Sequence, residues 1–123
     1  MTRFFIISIF LMNVLTAKAQ GGWTEEEARH LIDSLYTVLV KGGDFTTLAQ
    51  TYSDDPGSKD NGGKFLNYKK GIFVPEFEEA ALRLDVGGIS QPFKTQFGYH
   101  VVQLMSRNKD VFSVRHILIA FKQ

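Results

Sequence analysis

The side chains able to do chemistry in this 123-residue chain are few and widely spaced: three histidines, His30, His100 and His116, scattered acids and hydroxyls, and no cysteine. Without Cys there is no disulfide framework, no thiolate zinc site, no Cys nucleophile and no lipidated N-terminal Cys. Neither the histidines nor the acids recur at ligand spacing, so no metal and no organic cofactor are expected. Imidazole, carboxylate and hydroxyl groups form hydrogen bonds and stabilise charge. Taken singly, each has a bland reading. His100 follows Gly98 by two residues in a strand-like run and reads as a core histidine satisfied by a neighbour. Asp55 heads Asp55-Pro56-Gly57, where Asp is common turn chemistry. Thr95 reads as a strand residue, and His30 lies among charged and apolar neighbours on what reads as a helix surface.

Whether such groups meet depends on the elements that carry them. Thr24-Glu25-Glu26-Glu27 has the form of a capping box, and Ala28, Leu31, Ile32, Leu35 and Leu39 then recur at helical spacing until Gly42-Gly43. Asp44 caps a second short helix, Phe45 to Tyr52, with Phe45, Leu48 and Ala49 on one side. Ser53 to Gly63 is a loop bent twice, at Asp55-Pro56-Gly57 and Asn61-Gly62-Gly63. Phe65 to Tyr68 is a strand, and Pro75 opens a helix to about Leu84 with Phe77, Ala80, Ala81 and Leu84 inward. Ser90 to Phe93 reads as an edge strand, because Pro92 cannot donate a ladder bond. Tyr99 to Met105 is a stronger strand, and a polar turn, Ser106 to Asp110, leads to a last one, Val111 to Phe121. Helices among strands of mixed direction point to an α+β fold.

The length suits one compact domain, and 44% apolar with 22% charged residues is a globular composition. A net charge of +1 with scattered Lys and Arg gives no footprint for nucleic acid. At the start, Arg3, the apolar run Phe4 to Leu15 and Ala17-Lys18-Ala19 read as a signal peptide over 1–19, cut before Gln20. The run is shorter than the ~20 residues of a spanning helix and is interrupted by Asn13, so no stable membrane anchor is expected after cleavage.

From Thr24 to about Leu104 the sequence resembles the parvulin-type (PpiC/SurA-like) peptidyl-prolyl isomerase family. The blocks are Gly43-Asp44-Phe45 with Leu48-Ala49, Tyr52-Ser53-Asp54-Asp55-Pro56-Gly57-Ser58, Asn61-Gly62-Gly63, Val74-Pro75-Glu76-Phe77-Glu78 and Phe97-Gly98-Tyr99-His100. Each alone is weak; together, in order and at family spacing, they are specific. The resemblance implies a parvulin-like (FKBP-like) four-stranded antiparallel sheet surrounded by about four helices over 24–106. It also implies a catalysed rotation about the bond before proline in unfolded or extended polypeptides. By similarity, the polar site is Asp55, Thr95, His100 and His116, and the proline pocket is Phe65, Phe73 and Phe77. Leu66 stands where the family usually has Gly and Phe73 where it often has Met, changes that bear on substrate affinity rather than fold. No Lys/Arg cluster suggests a phosphate-reading loop, although Lys59 and Lys64 are near the site.

In the family the domain opens with an apolar strand carrying one histidine, immediately before the first helix. Gly21-Gly22-Trp23 is too short for that strand, whereas Val114-Arg115-His116-Ile117-Leu118-Ile119 has the expected sequence at the far end. Two explanations compete. The segment 111–121 opens a second domain of a longer, SurA-like tandem foldase, or it folds back beside Tyr99 to Met105 and fills the vacant place, because an unfilled sheet leaves backbone groups unpaired. On the second, His116 and His100 become neighbours, and the same strand offers a route to a strand-exchanged dimer. The sequence therefore predicts a periplasmic foldase with isomerase activity, or a non-catalytic chaperone module using the same groove.

Overall fold

A computed structural model describes residues 22–123; the segment read as a signal peptide lies outside the described residues. The capping box forms: the Thr24 hydroxyl accepts the Glu27 N–H at 3.1 Å while the Glu27 carboxylate accepts the Thr24 N–H at 2.9 Å. It starts helix α1, Glu25–Val40, whose three leading glutamates also sit favourably at the positive end of the helix dipole. Ala28, Leu31, Ile32, Leu35 and Leu39 are its buried stripe. Gly42, at φ 99°, takes the left-handed conformation that ends the helix. Asp44 then caps α2, Phe45–Tyr52, accepting the Thr47 N–H at 3.2 Å.

A loop with a 3-10 turn at Lys59–Asn61 leads to β1, Lys64–Lys69, then to helix α3, Pro75–Leu82, and to strands β2, Phe93–Thr95, β3, Gly98–Asn108, and β4, Val111–Ile119. All pairings are antiparallel and the sheet order is β1-β4-β3-β2. The last segment of the chain is thus a central strand, as its near-continuous burial and richness in Val and Ile require. Its far end returns to the start of α1, where Lys122 N–H bonds the Trp23 carbonyl at 2.8 Å.

The inner strands separate two cores. On one face Val101, Ile117 and Ile119 pack under α1 and α2; on the other Val102, Leu104, Phe112 and Val114 pack under α3 with Phe77 and Ala81. The fold is the expected α+β class, with differences of detail. Three α-helices and one 3-10 turn are present among the described residues, against about four helices expected. Helix α3 ends two residues before Leu84. β3 runs on to Asn108, so the connection to β4 is two residues, not five. The edge strand starts at Phe93, beyond Pro92; only Ile89 of the preceding segment bridges to Gln103. The missing proline N–H excludes Pro92 from a regular ladder.

Candidate active site

Alternation along the inner strands places Phe112, Val114 and His116 of β4 on the same face as Leu104, Val102 and His100 of β3. Val102 faces His116 and His100 faces Leu118, so the two imidazoles are diagonal neighbours. Their rings stack with centroids 5.6 Å apart and planes 19° apart, and the two Nδ1 atoms are 3.4 Å apart. Both residues are 4% exposed, which is why each must find partners within the protein.

Beyond the end of β1, the loop 53–63 lies alongside β4 in its place. Asp54 N–H bonds the Leu118 carbonyl at 2.7 Å, Leu118 N–H bonds Ser53 Oγ at 3.2 Å, and Ala120 N–H bonds the Asp54 carboxylate at 2.8 Å. Gly63 accepts the His116 N–H at 2.9 Å; a Cβ on Gly63 would sit 2.3 Å from the His116 carbonyl oxygen, so only glycine fits. The clamp brings Asp55 Oδ2 to 2.7 Å from His116 Nε2, while Asp55 Oδ1 accepts the Gly57 N–H at 3.0 Å. The bond from His116, opposed by partial burial and assisted by the Ser58 hydroxyl, holds the Asp55 carboxyl down at about 2. Asp55 is therefore an ionised acceptor.

On the other side, the β2–β3 hairpin sets Thr95 Oγ1 at 2.7 Å from His100 Nε2, and the same oxygen accepts the Phe97 N–H at 3.1 Å. Burial, with the neighbouring His116, pushes His100 down to about 3 against the opposing pull of Asp55, so His100 is neutral. Phe93 lies flat against it, 5.1 Å away with planes 11° apart. The polar wall is consequently complete: no buried side-chain nitrogen or oxygen among the described residues lacks a hydrogen-bond partner.

Facing this wall are the three phenylalanines. Phe65 and Phe73 meet edge to face at 5.2 Å, Phe73 and Phe77 lie 4.9 Å apart, and Phe65 and Phe77 each approach His116 to 5.3 Å. Together they bound an open cleft of about 580 Å³, with Ile72 and Phe97 exposed at its mouth. The structure thus brings Asp55, Thr95, His100, His116, Phe65, Phe73 and Phe77 together, and leaves His30 on the surface of α1 beside Glu26. Sequence reasoning missed Ser53, Ser58 and Phe93. Ser58 had a signal, a hydroxyl three residues after Asp55 in a turn; Phe93 had none, because only the register of β2 reveals its stacking. Among the described residues no cluster of three His, Asp or Glu could hold a metal. The cleft can grip a small apolar ring on one side and present fixed hydrogen-bonding groups on the other.

A four-stranded antiparallel sheet, flanked by helices and carrying a paired-histidine cleft lined by phenylalanines, defines a parvulin-type domain. The family model for the PPIC-type PPIASE domain matches residues 6–108, and the chain belongs to that family. The matched span ends where β3 ends, so β4 and His116 follow it. The foldase protein PrsA of Caldanaerobacter subterraneus subsp. tengcongensis is 47% identical over 83 residues, covering 62% of this chain and 27% of that protein. The chaperone SurA of Nitrosococcus oceani is 42% identical over 87 residues, covering 71% of this chain and 20% of that one. The crystal structure of the peptidylprolyl isomerase PrsA from Bacillus cereus superposes with a TM-score of 0.62 at 41% identity, covering 66% of this chain and 31% of that chain. The chain therefore spans about a quarter of the length of these relatives.

Proposed function

We propose that this domain is a peptidyl-prolyl cis–trans isomerase acting on extended, proline-containing segments of unfolded exported proteins, and that it works outside the cytoplasm. The observation that carries the reading is the single cleft in which three phenylalanines face the Asp55–His116–His100–Thr95 chain. The resemblance to foldases and the Arg3-led apolar leader with Ala17-Lys18-Ala19 support the compartment.

The chemistry asked of the site is limited. The X–Pro bond turns slowly because partial double-bond character raises a barrier of ~18–20 kcal/mol. At the top of that barrier resonance is lost, the carbonyl oxygen gives up negative charge and the nitrogen regains a lone pair. A prolyl ring held among Phe65, Phe73 and Phe77 is shielded from the water that stabilises the planar, charge-separated ground state. Fixed polar groups opposite can favour the twisted form, as preorganised donors do elsewhere. No covalent bond forms or breaks.

The test is proline isomerisation of a short non-phosphorylated peptide by the chain from Gln20 and by its His116→Ala and His100→Ala variants. Point variants are the clean comparison, because cutting the chain at Asp110 removes a central strand. A fall in kcat/KM of about 10²-fold is expected in each; equal activity in wild type and both folded variants sinks the reading. One observation favours a second reading, a chaperone module: Leu66, Ile72 and Phe97 are more than half exposed, two of them at the cleft mouth. Full holding of an unfolded client by His100→Ala, with an inactive wild type, would select it.

A further inference from the structure

Ser58 is 1% exposed and stands where the Asp55 loop meets β4. Its hydroxyl donates to Asp55 Oδ2 at 2.7 Å, and its oxygen is 3.2 Å from His116 Nε2, which is itself 2.7 Å from the same Oδ2. One distribution of hydrogens fits this triangle. An ionised carboxylate can only accept, so a bare Nε2 would set two lone pairs against each other at 2.7 Å. Nε2 therefore carries hydrogen. Ser58, whose own hydrogen is committed to Oδ2, offers a lone pair to that N–H as well.

The remaining hydrogen bonds carry the line onward through His100, which is neutral. One hydrogen joins His116 Nδ1 to His100 Nδ1 and another joins His100 Nε2 to the Thr95 hydroxyl, whose oxygen accepts the Phe97 N–H. The hydrogen bonds run unbroken from Asp55 to Thr95. The carboxylate anchors one end of a line that reaches the cleft wall at Thr95, so whatever fixes the carboxylate positions the line.

What fixes it is limited. Besides His116, Asp55 has the Gly57 N–H on one oxygen and Ser58 on the other, and its side chain is 20% exposed, so water can compete for it. Ser58 itself is held firmly. Its carbonyl accepts the Asn61 N–H at 3.1 Å and the Gly63 N–H at 2.8 Å, and the Gly63 carbonyl in turn accepts the His116 N–H. The same backbone that seats His116 seats the hydroxyl.

We propose that Ser58 is a positioning residue of the isomerase site: it pins the Asp55 carboxylate against His116 Nε2 and so orients the hydrogen-bond chain through His100 to Thr95. The effect on rate rests on the isomerase reading; the pinning of Asp55 does not. The titratable and charged groups around Asp55 are His116 on β4, His100 behind it on β3, and Asp54 and Lys59 on its own loop, none of which a change at Ser58 removes.

The experiment compares wild type, Ser58→Ala, Ser58→Cys and Ser90→Ala in the full chain, reading the carbon-13 titration of the Asp55 carboxyl and peptide isomerisation. Ser90 is the control: it is equally a buried serine, but its oxygen serves the Val102 N–H. In Ser58→Ala the Asp55 midpoint should rise by on the order of one pH unit. Its kcat should fall about tenfold with KM little changed, because Ser58 acts through other residues and not on substrate. Ser58→Cys, a weaker donor of similar size, should fall between, and it carries the same readouts if the alanine variant does not fold. Ser90→Ala should lower stability and leave the Asp55 titration unmoved. An unmoved titration and unchanged kcat in a folded Ser58 variant, or equal changes in Ser90→Ala, overturn the proposal. A shifted titration in a protein that shows no isomerisation even as wild type leaves the positioning role standing and removes the isomerase reading.

Discussion

Consecutive residues of β3 and β4 serve opposite ends on the two faces of the sheet. Val101 and Ile117 point into a core sealed by α1 and α2, where the neighbours are aliphatic and aromatic. His100 and His116, one step away on each strand, point to the face covered by α3, which has eight residues against the sixteen of α1. The shorter helix covers Val102, Leu104, Phe112 and Val114 and meets the histidines only through the Phe77 ring, and the cleft opens beside it. A face closed over its whole length can be built from shape alone. A face left open at one end can carry buried polar groups only if each has a partner, and here each does.

The largest expected effects separate the faces most sharply. Ile32, fully buried in the closed face, should lose about 2–5 kcal/mol of stability as Ile32→Ala, through lost contacts and the cavity left behind. Its kcat/KM per folded molecule should stay at the wild-type value. His116→Ala should do the reverse, losing about 10²-fold in kcat/KM, equivalent to ~2.7 kcal/mol at the barrier. Denaturant melts and peptide isomerisation on both variants decide the matter; an Ile32→Ala variant slowed as much as His116→Ala would break the division between the faces.

Acid should find the open face first. His100 is held down to about 3 in the folded state, chiefly by burial, and titrates near 6.5 when unfolded. Folding therefore disfavours its protonation: its contribution is fully present above about pH 6.5 and is lost as pH falls toward 3, at no more than ~1.4 kcal/mol per pH unit. Asp55, held down to about 2 by His116, contributes stability that is present above about pH 4 and is lost only below that. Urea midpoints between pH 7.5 and pH 4.5 should consequently fall in wild type and fall less in His100→Ala. A wild-type midpoint flat across that window would mean the ring is not as sheltered as its 4% exposure implies.

Much of the closed face was legible in the sequence, because it is made by periodicity and caps. Thr24 and Glu27 announce α1, Asp44 announces α2, and the apolar stripe of α1 is the buried stripe. These are local signals. The open face is made by register, which sequence carries weakly. That His100 lies diagonal to His116 depends on Val102 facing His116 across a ladder, and that Phe93 stacks on His100 depends on β2 beginning after Pro92. The four polar residues and three phenylalanines were reached through resemblance to a family, not from spacing. Ser58 escaped even so, since its role exists only where a turn in one loop touches a strand fifty-eight residues later.

The smallest effect sharpens the comparison because it touches both faces equally. Asn108 pairs with Val111, so Lys109 and Asp110 alone connect β3 to β4, and Lys109 sits at φ 57°. For a residue with a Cβ that left-handed conformation costs about 1–2 kcal/mol, whereas glycine adopts it freely but surrenders about 0.5–1 kcal/mol of extra unfolded-state freedom. Lys109→Gly should therefore gain up to about 1 kcal/mol, and Lys109→Val, β-branched and poorly suited to positive φ, should lose at least as much. The connection lies at the end of the hairpin remote from His100 and His116, so neither variant should alter kcat/KM. If Lys109→Gly changed the rate while raising the urea midpoint, the turn would be setting the register that aligns the two histidines, and the open face would depend on the hairpin as a whole rather than on the loop that clamps β4.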